Sequence, residues 1–331
     1  MTVRPGGYRT KGWDKIPLQT GLGSDSTAIA PIIVSASRST DIPGCYAKWF
    51  IDCLDRGHVL WVNPFNRRTQ VVSFEKTRVI VFWTKNPEPL LPFLDEIDRK
   101  GIHYYFQYTL NDYEAQRFEP HVPPIEKRIE TFCRLSEQLG KARVIWRFDP
   151  LILTDTLGVD ELLEKIRGVG DRLHEFTEKL VISFVDIAIY RKVRNNFRSH
   201  HVNGREFNPE QIAQLAQGLQ ELNRLWRLDM ATCGETADLE NYGITHNRCI
   251  DDALMIRLFK DDLRLMSFFG YQQGEVFPGD KRIYLKDKGQ RKACGCIVSK
   301  DIGRYDTCGH GCIYCYANHF SGSVSTASEK K

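Results

Sequence analysis

RVIVFWTKNPEPLLPFLDEIDRKGIHYYFQYT, residues 78–109, decides the fold. Two apolar runs, 78–83 and 103–109, are rich in β-branched and aromatic residues, and a helical pattern over 88–100 separates them. The same alternation extends outward. Apolar runs recur at 31–36 (PIIVSA), 142–148 (ARVIWRF), 179–185 (KLVISFV) and 228–233 (LDMATC), with helical patterns at 43–56, 124–139, 159–177 and 209–226. In the 124–139 pattern Ile125, Ile129, Phe132 and Leu139 share one face, Pro123-Pro124 marks the start and Gly140 the end. Continuous apolar strands alternating with amphipathic helices imply an α/β protein, a parallel sheet with helices outside it. Six or more such units predict a (β/α) TIM-like barrel or partial barrel.

Flanking stretches read differently. Residues 58–74 predict two strands joined by a polar turn, an inserted hairpin. Residues 1–30, rich in Gly, Thr and Ser, predict an irregular arm, and 321–331 (SGSVSTASEKK) a disordered tail. The barrel is expected over 31–320. The chain has 331 residues, is 42% hydrophobic and 27% charged, and carries a net charge of +4. That balance fits a globular protein, and the charge is too small to demand a nucleic-acid partner. No apolar run is long enough for a membrane span and no secretory leader is apparent, so a cytoplasmic location is expected. Cysteines in such a reducing compartment serve as thiols or metal ligands.

Cys308, Cys312 and Cys315 carry the strongest chemical signal, spaced C-x3-C-x2-C within CGHGCIYCYAN. Three such thiolates can hold three irons of a [4Fe-4S] cluster and leave the fourth open to a small molecule. The competing reading is zinc, because His310 lies within the loop and Cys294 and Cys296 lie just upstream. Structural zinc favours two C-x2-C pairs or one pair with histidines, and this chain has one C-x2-C pair. A second set of thiols, Cys233, Cys249, Cys294 and Cys296, would suffice for an auxiliary cluster; alternatively they are buried or loop thiols. Cys45, Cys53 and Cys133 fall in helical patterns and are expected to be packing residues.

The loop, with C-I-Y-C-Y-A at its end, resembles the cluster loop of the radical S-adenosylmethionine (SAM) superfamily. The resemblance implies a barrel, a [4Fe-4S] cluster chelated by SAM, and a 5'-deoxyadenosyl radical formed on reduction. It also implies an electron donor such as flavodoxin or ferredoxin. In that superfamily the loop follows the first barrel strand. Here it follows the last candidate strand, around 296–302, so a circular permutation is expected, with 296–302 beside 31–36. Over nearly its whole length the chain also resembles a bacterial family known as the domain of unknown function 1848. The stretches SASRSTDIP, NPFN, VFWTKNP, YYFQYTL, VIWRFDP, CID and CGCIVSKDIGRYDTCGHGCIYCYAN carry that match.

The carboxyl ends of barrel strands surround the active site. Here they carry Ser35, Ser37, Arg38, Thr40, Asp41, Thr84, Lys85, Asn86, Gln107, Thr109, Arg147, Asp149, Ser183, Asp186, Thr232 and Glu235. Against SAM, Arg147 suits the carboxylate through a bidentate contact, and Gln107 and Thr109 suit the ribose. By resemblance, Ser35 and Ser37 lie where the amino group is received, and Tyr314 where backbone approaches adenine. Asp41 alternatively caps a helix and Asp149-Pro150 forms a turn. Residues 190–205 form a basic connection with Arg191, Lys192, Arg194, Arg198, Arg205 and two histidines, His200 and His201. Such a loop is usually solvated but could meet a phosphate backbone. The expected function is radical SAM chemistry on an unidentified substrate. Alternatives are nucleic-acid repair or modification by the same chemistry, and a non-catalytic iron–sulfur or zinc protein that binds nucleic acid.

Overall fold

The computed structural model describes residues 13–19, 25–271 and 285–319. Eight strands form one all-parallel sheet: β3 (Ile33–Ala36), β6 (Val79–Thr84), β7 (His103–Thr109), β8 (Val144–Leu151), β9 (Lys179–Phe184), β10 (Asp229–Thr232), β11 (Ile244–His246) and β12 (Lys300–Asp301). Their order is β11-β10-β9-β8-β7-β6-β3-β12. All six apolar runs are strands of this sheet, and the chain is a mixed α/β protein. β12 pairs with β3 in parallel, Lys300 opposite Val34 and Asp301 opposite Ser35. The last strand among the described residues therefore sits beside the first of this sheet.

The expected closure of a barrel is not found. β11 and β12 stand at opposite ends of the sheet and no pairing joins them among the described residues. Both are only two or three residues long and offer few ladder groups. The chain after β11 meets the chain before β12 instead, where the Ile297 amide donates to Ile250 O at 3.2 Å.

Alternation along the strands creates two unlike faces. Tyr104, Phe106 and Tyr108 of β7, with Phe82 and Trp146 from its neighbours, join the larger core under the helices. These helices are α1 (Ile42–Cys45), α2 (Ala47–Arg56), α3 (Leu94–Arg99), α4 (Ile125–Leu139), α5 (Val159–Leu173), α6 (Arg191–Ser199) and α7 (Pro209–Trp226). The other face begins with Ile33, Val79, Val81, Tyr105, Ile145 and Val181. That apolar floor is covered by α8 (Asp252–Phe259) and α9 (Leu263–Phe268) through Met255, Leu265, Met266 and Phe268. Further along the same strands this face turns polar, with Ser35, Gln107, Arg147 and Ser183 all buried. Buried polar groups need partners, and their positions mark where chemistry is concentrated.

A second sheet braces the β12 edge. β1 (Asp14–Gln19), β2 (Asp25–Ala30), β4 (His58–Val62) and β5 (Thr69–Ser73) pair in the order β1-β2-β5-β4. The β4–β5 ribbon is the expected hairpin. β1 and β2 correct the expectation of an irregular arm over 14–19 and 25–30: β1 pairs along its whole length with β2, which joins β5 at Ile29–Val72, so tertiary pairing outweighs a weak local pattern. From this sheet Trp61 donates to Gly303 O at 3.0 Å, and the Lys300 ammonium lies 3.1 Å from the Trp61 ring centroid. Residues 1–12 of the expected arm and 321–331 of the expected tail lie outside the described residues.

Candidate functional site

Beyond β12 the chain crosses the carboxyl ends of the strands as an irregular loop and is tied from several sides. The Thr40 hydroxyl meets Arg304 O, and the Tyr46 hydroxyl donates to Thr307 O at 2.5 Å. The His121 amide donates to His310 O at 3.2 Å and the Ile313 amide to Phe118 O at 3.0 Å. From α6, Lys192 pairs with Asp306 at 2.9 Å and donates to Ala317 O. The basic connection is thus largely a helix rather than a loop, because Val193 and Phe197 bury one face of it. Much of its charge is engaged within the chain: Arg194 donates to Ile187 O and Ala188 O, and Arg205 donates to Thr154 O at 2.7 Å.

Cys308, Cys312 and Cys315 are free thiols in this loop. Burial pushes Cys312 and Cys315 up, and the charge of Cys308 adds to both. Asn318 holds the loop's shape. Its Oδ1 accepts from the Cys308 amide at 3.2 Å, while its Nδ2 reaches Cys315 Sγ at 3.4 Å and Ser39 O at 3.3 Å. The backbone of Ala317 and Asn318 also acts to lower the Cys315 thiol pKa against burial. These donors pull against burial, and a metal-bound sulfur would gain from each of them.

Cys45 joins this group. Its sulfur, that of Cys308 and a ring nitrogen of His310 all lie within 4.8 Å of one another, a set that could hold a metal ion. Cys45 is therefore not simply a packing residue. His310 is buried and its Nε2 lies 2.6 Å from Asp41 Oδ2. Burial acts to lower its pKa, but the charge and hydrogen bond of Asp41 outweigh burial and raise it to about 9. Asp41 serves three partners. It caps α1 by accepting from the Gly44 amide at 2.7 Å, accepts from the Lys85 amide at 2.7 Å, and pairs with His310. The expected N-cap is real and is also part of the site.

Tyr314 is buried, and its hydroxyl donates to Glu119 and accepts from Asn111 Nδ2 at 3.1 Å. Glu119 is a hub: Lys85 Nζ lies at 2.8 Å and Arg128 Nη1 at 3.4 Å. Burial raises its pKa, yet Lys85 and Arg128 together bring it below the usual carboxylate value. Asn111 continues the chain by accepting from the Asp149 amide at 2.8 Å. The Asp149 carboxylate accepts from Ser183 and from both Nε and Nη2 of Arg147.

Arg147 leads to the second cysteine group. Its Nη1 donates to Gln107 Oε1 and to Cys249 Sγ, each at 3.0 Å. Cys233, at the end of β10, lies 3.4 Å from Cys249, sulfur to sulfur. Cys296 and Cys294 lie close enough to Cys249 to couple with it electrostatically. Amides of Cys249 and Ile250 donate to Cys296 Sγ at 3.2 and 3.4 Å, and Asn247 Nδ2 donates to Cys249 Sγ at 3.3 Å.

The remaining strand-end residues divide between these two centres. Ser35 donates to Asp301 Oδ2 at 2.7 Å, and Ser37 lies 3.1 Å from the Ser39 hydroxyl, both beside the loop. Gln107 donates to Cys249 O at 3.1 Å and belongs to the second group. Thr109, half-buried, is the register partner of Arg147. The Arg147 fork is already occupied by Asp149, Gln107 and Cys249, so it does not offer the open bidentate face a carboxylate needs. Arg38 does offer a donor. Its Nη2 is buried without a hydrogen-bond partner, its guanidinium lies 4.9 Å from the Trp83 ring centroid, and the Tyr316 hydroxyl donates to its carbonyl at 3.0 Å. Sequence reading passed over Cys45, Glu119 and Asn111 as site residues, and only their approach to the loop in three dimensions marks them.

A family described as "Domain of unknown function (DUF1848)" matches residues 33–317, and the chain belongs to it. No curated protein and no solved structure matches the chain. No helix among the described residues is long and apolar enough to cross a membrane.

Proposed function

We propose that this chain is a radical SAM enzyme with a circularly permuted, open form of that superfamily's barrel. In this reading Cys308, Cys312 and Cys315 hold a [4Fe-4S] cluster at the carboxyl ends of the strands. The observation that carries it is the parallel pairing of β12 with β3, which delivers the three-cysteine loop beside Ser35 and Ser37 although the loop comes last in the chain. When bound, cluster and SAM would supply a 5'-deoxyadenosyl radical after one-electron reduction by a ferredoxin or flavodoxin.

The donor set fits the cluster: three partly buried thiols, with Asn318 aimed at Cys315. The chain's own groups would do the rest. Arg38 Nη2, buried and unpartnered, would take the SAM carboxylate in place of Arg147. Ser37 and the carboxylate of Asp301 are the nearby acceptors for its amino group. Tyr314, fixed by Glu119 and Asn111, would hold the loop's backbone in place beneath the adenine. The substrate is unidentified. A nucleic-acid substrate gains no support from the basic stretch, since Lys192, Arg194 and Arg205 bind groups of the chain itself.

One observation favours a second reading. Cys45, Cys308 and His310, with Asp41 orienting the imidazole, form the three-ligand pattern of a zinc site with an open position. Anaerobic reconstitution separates the two. Iron and sulfide uptake that is lost in C308A/C312A/C315A, together with 5'-deoxyadenosine formed from SAM on reduction, supports the radical reading. One tightly held zinc per chain, lost in C45A and H310A and accompanied by no iron uptake at this loop, supports the other.

A further inference from the structure

We infer that Cys233, Cys249, Cys294 and Cys296 form a second metal site that takes an iron–sulfur cluster. The four come from three separate stretches: the end of β10, the turn after β11, and the approach to β12. Cys249 and Cys296 are buried in the smaller apolar core, with Cys233 and Cys294 packed against it, but packing leaves the polar contacts of their sulfurs unexplained. A cysteine used as a small hydrophobe sits among apolar side chains. Here Cys249 Sγ receives Arg147 Nη1 at 3.0 Å and Asn247 Nδ2 at 3.3 Å, while Cys296 Sγ receives two backbone amides. A neutral thiol is a weak acceptor, whereas metal-bound thiolates gain from each such donor. Arg147 is buried, and part of its positive charge is turned toward the sulfurs rather than toward Asp149.

The arrangement distinguishes a cluster from a single ion. Four thiolates suit zinc or iron–sulfur alike. A tetrahedral zinc site gathers its sulfurs at about 2.3 Å from one point. These sulfurs are not gathered in that way: Cys233 and Cys249 lie 3.4 Å apart, but among the described residues no three of the four sulfurs come within 4.8 Å of one another. Thiols that do not converge on one point match ligands divided over several irons. The inference does not depend on the function assigned to the Cys308 loop. A hydrogen-bonded path, Tyr314, Asn111, Asp149, Arg147, Cys249, joins the two sites.

The test uses the full chain reconstituted anaerobically with ferrous iron and sulfide. In C308A/C312A/C315A, about four irons and their visible charge-transfer absorption should remain, since each cubane takes four. Adding C294A/C296A should remove them. In the otherwise native chain C294A/C296A should lose roughly half the iron, with an unchanged far-UV spectrum, which keeps the test open if the triple variant does not fold. Iron uptake in C294A/C296A equal to that of the native chain overturns the inference. So does a second site filled by zinc alone, or a Cys233–Cys249 disulfide found by mass in protein prepared without oxidant. If the Cys308 loop binds no iron but the second site does, the native chain takes about four irons and C294A/C296A alone abolishes them, so the two readings fail separately.

Discussion

The two cysteine groups are built in opposite ways. The first lies within eight consecutive residues and its shape is imposed from outside, by Tyr46, His121, Lys192 and Asn318. The second is assembled on the inner face of the sheet from segments as far apart as Cys233 and Cys296, and its shape follows from strand order. A loop of the first kind can be moved to the other end of a chain and keep its chemistry if one strand pairing is preserved. A site of the second kind exists only when the whole sheet is in place. Cluster loading at the first site should therefore tolerate distant changes, and loading at the second should not.

The largest effect expected is on SAM cleavage. C308A/C312A/C315A should abolish 5'-deoxyadenosine formation, while C294A/C296A should leave the uncoupled cleavage measurable. Equal loss in both variants, with folding intact, would mean that the two groups act as one centre and would erase the contrast. Product quantified by chromatography, normalised to iron content, reads the outcome.

Next in size is the bridge between the groups. Glu119→Ala should leave Arg128 buried and Lys85 partly buried without their carboxylate, at a cost of about 3–5 kcal/mol in stability, measured by denaturant unfolding of the metal-free chain. Glu119→Gln keeps an acceptor for Tyr314 and should cost less. A loss below about 1 kcal/mol for the alanine variant would show that the hub carries little of the loop's stability.

How far each region could be read in advance follows the same division. The βαβ alternation was legible because parallel strands buried on both faces need continuous apolar runs. The three-cysteine loop was legible because its ligands are set by local spacing. The four scattered thiols could be named as a set, but only the sheet order β8-β9-β10-β11 places Arg147 against Cys249. The approach of Cys45 to the loop was not legible because a cysteine four residues into a short helix looks like any packing residue. The roles of Arg38 and Arg147 could not be separated from sequence, since both stand at strand ends and differ only in which donors are already taken. β1 and β2 were missed because their pairing partners, each other and β5, supply what their own composition does not.

That separation of the two arginines gives the third prediction. Arg38→Met should weaken SAM binding roughly 10- to 100-fold, the worth of a hydrogen bond to a charged group. Arg147→Lys keeps the charge but loses the planar fork, so it should disturb iron content at the second group while changing SAM affinity by less than about threefold. Calorimetric titration of the cluster-loaded protein, with iron counted on the same samples, decides between them. The reverse pattern would return the carboxylate to Arg147.

The smallest effect tests whether the first group really depends on one close strand approach. A Cβ placed on Gly303 would stand 1.7 Å from Ser37 Oγ and 2.5 Å from Ser37 Cβ. The hydroxyl can rotate away, but the Ser37 Cβ cannot move without shifting the backbone that follows β3. Gly303→Ala should therefore push the β12 turn off β3 and cost about 1–3 kcal/mol, the usual range for overpacking. It should also loosen the cluster, because the loop hangs from that turn, and iron should be lost faster to a chelator. Gly309→Ala, inside the loop itself, would meet only Cys45 Sγ, at an ordinary 3.6 Å. It should stay within about 0.5 kcal/mol of the native chain, as surface-like substitutions do. The paired measurement is sharp because the residue outside the motif is expected to matter more than the one within it. If Gly309→Ala proves the more damaging, the loop's internal geometry governs the site. The pairing of β12 with β3 would then be only its mooring.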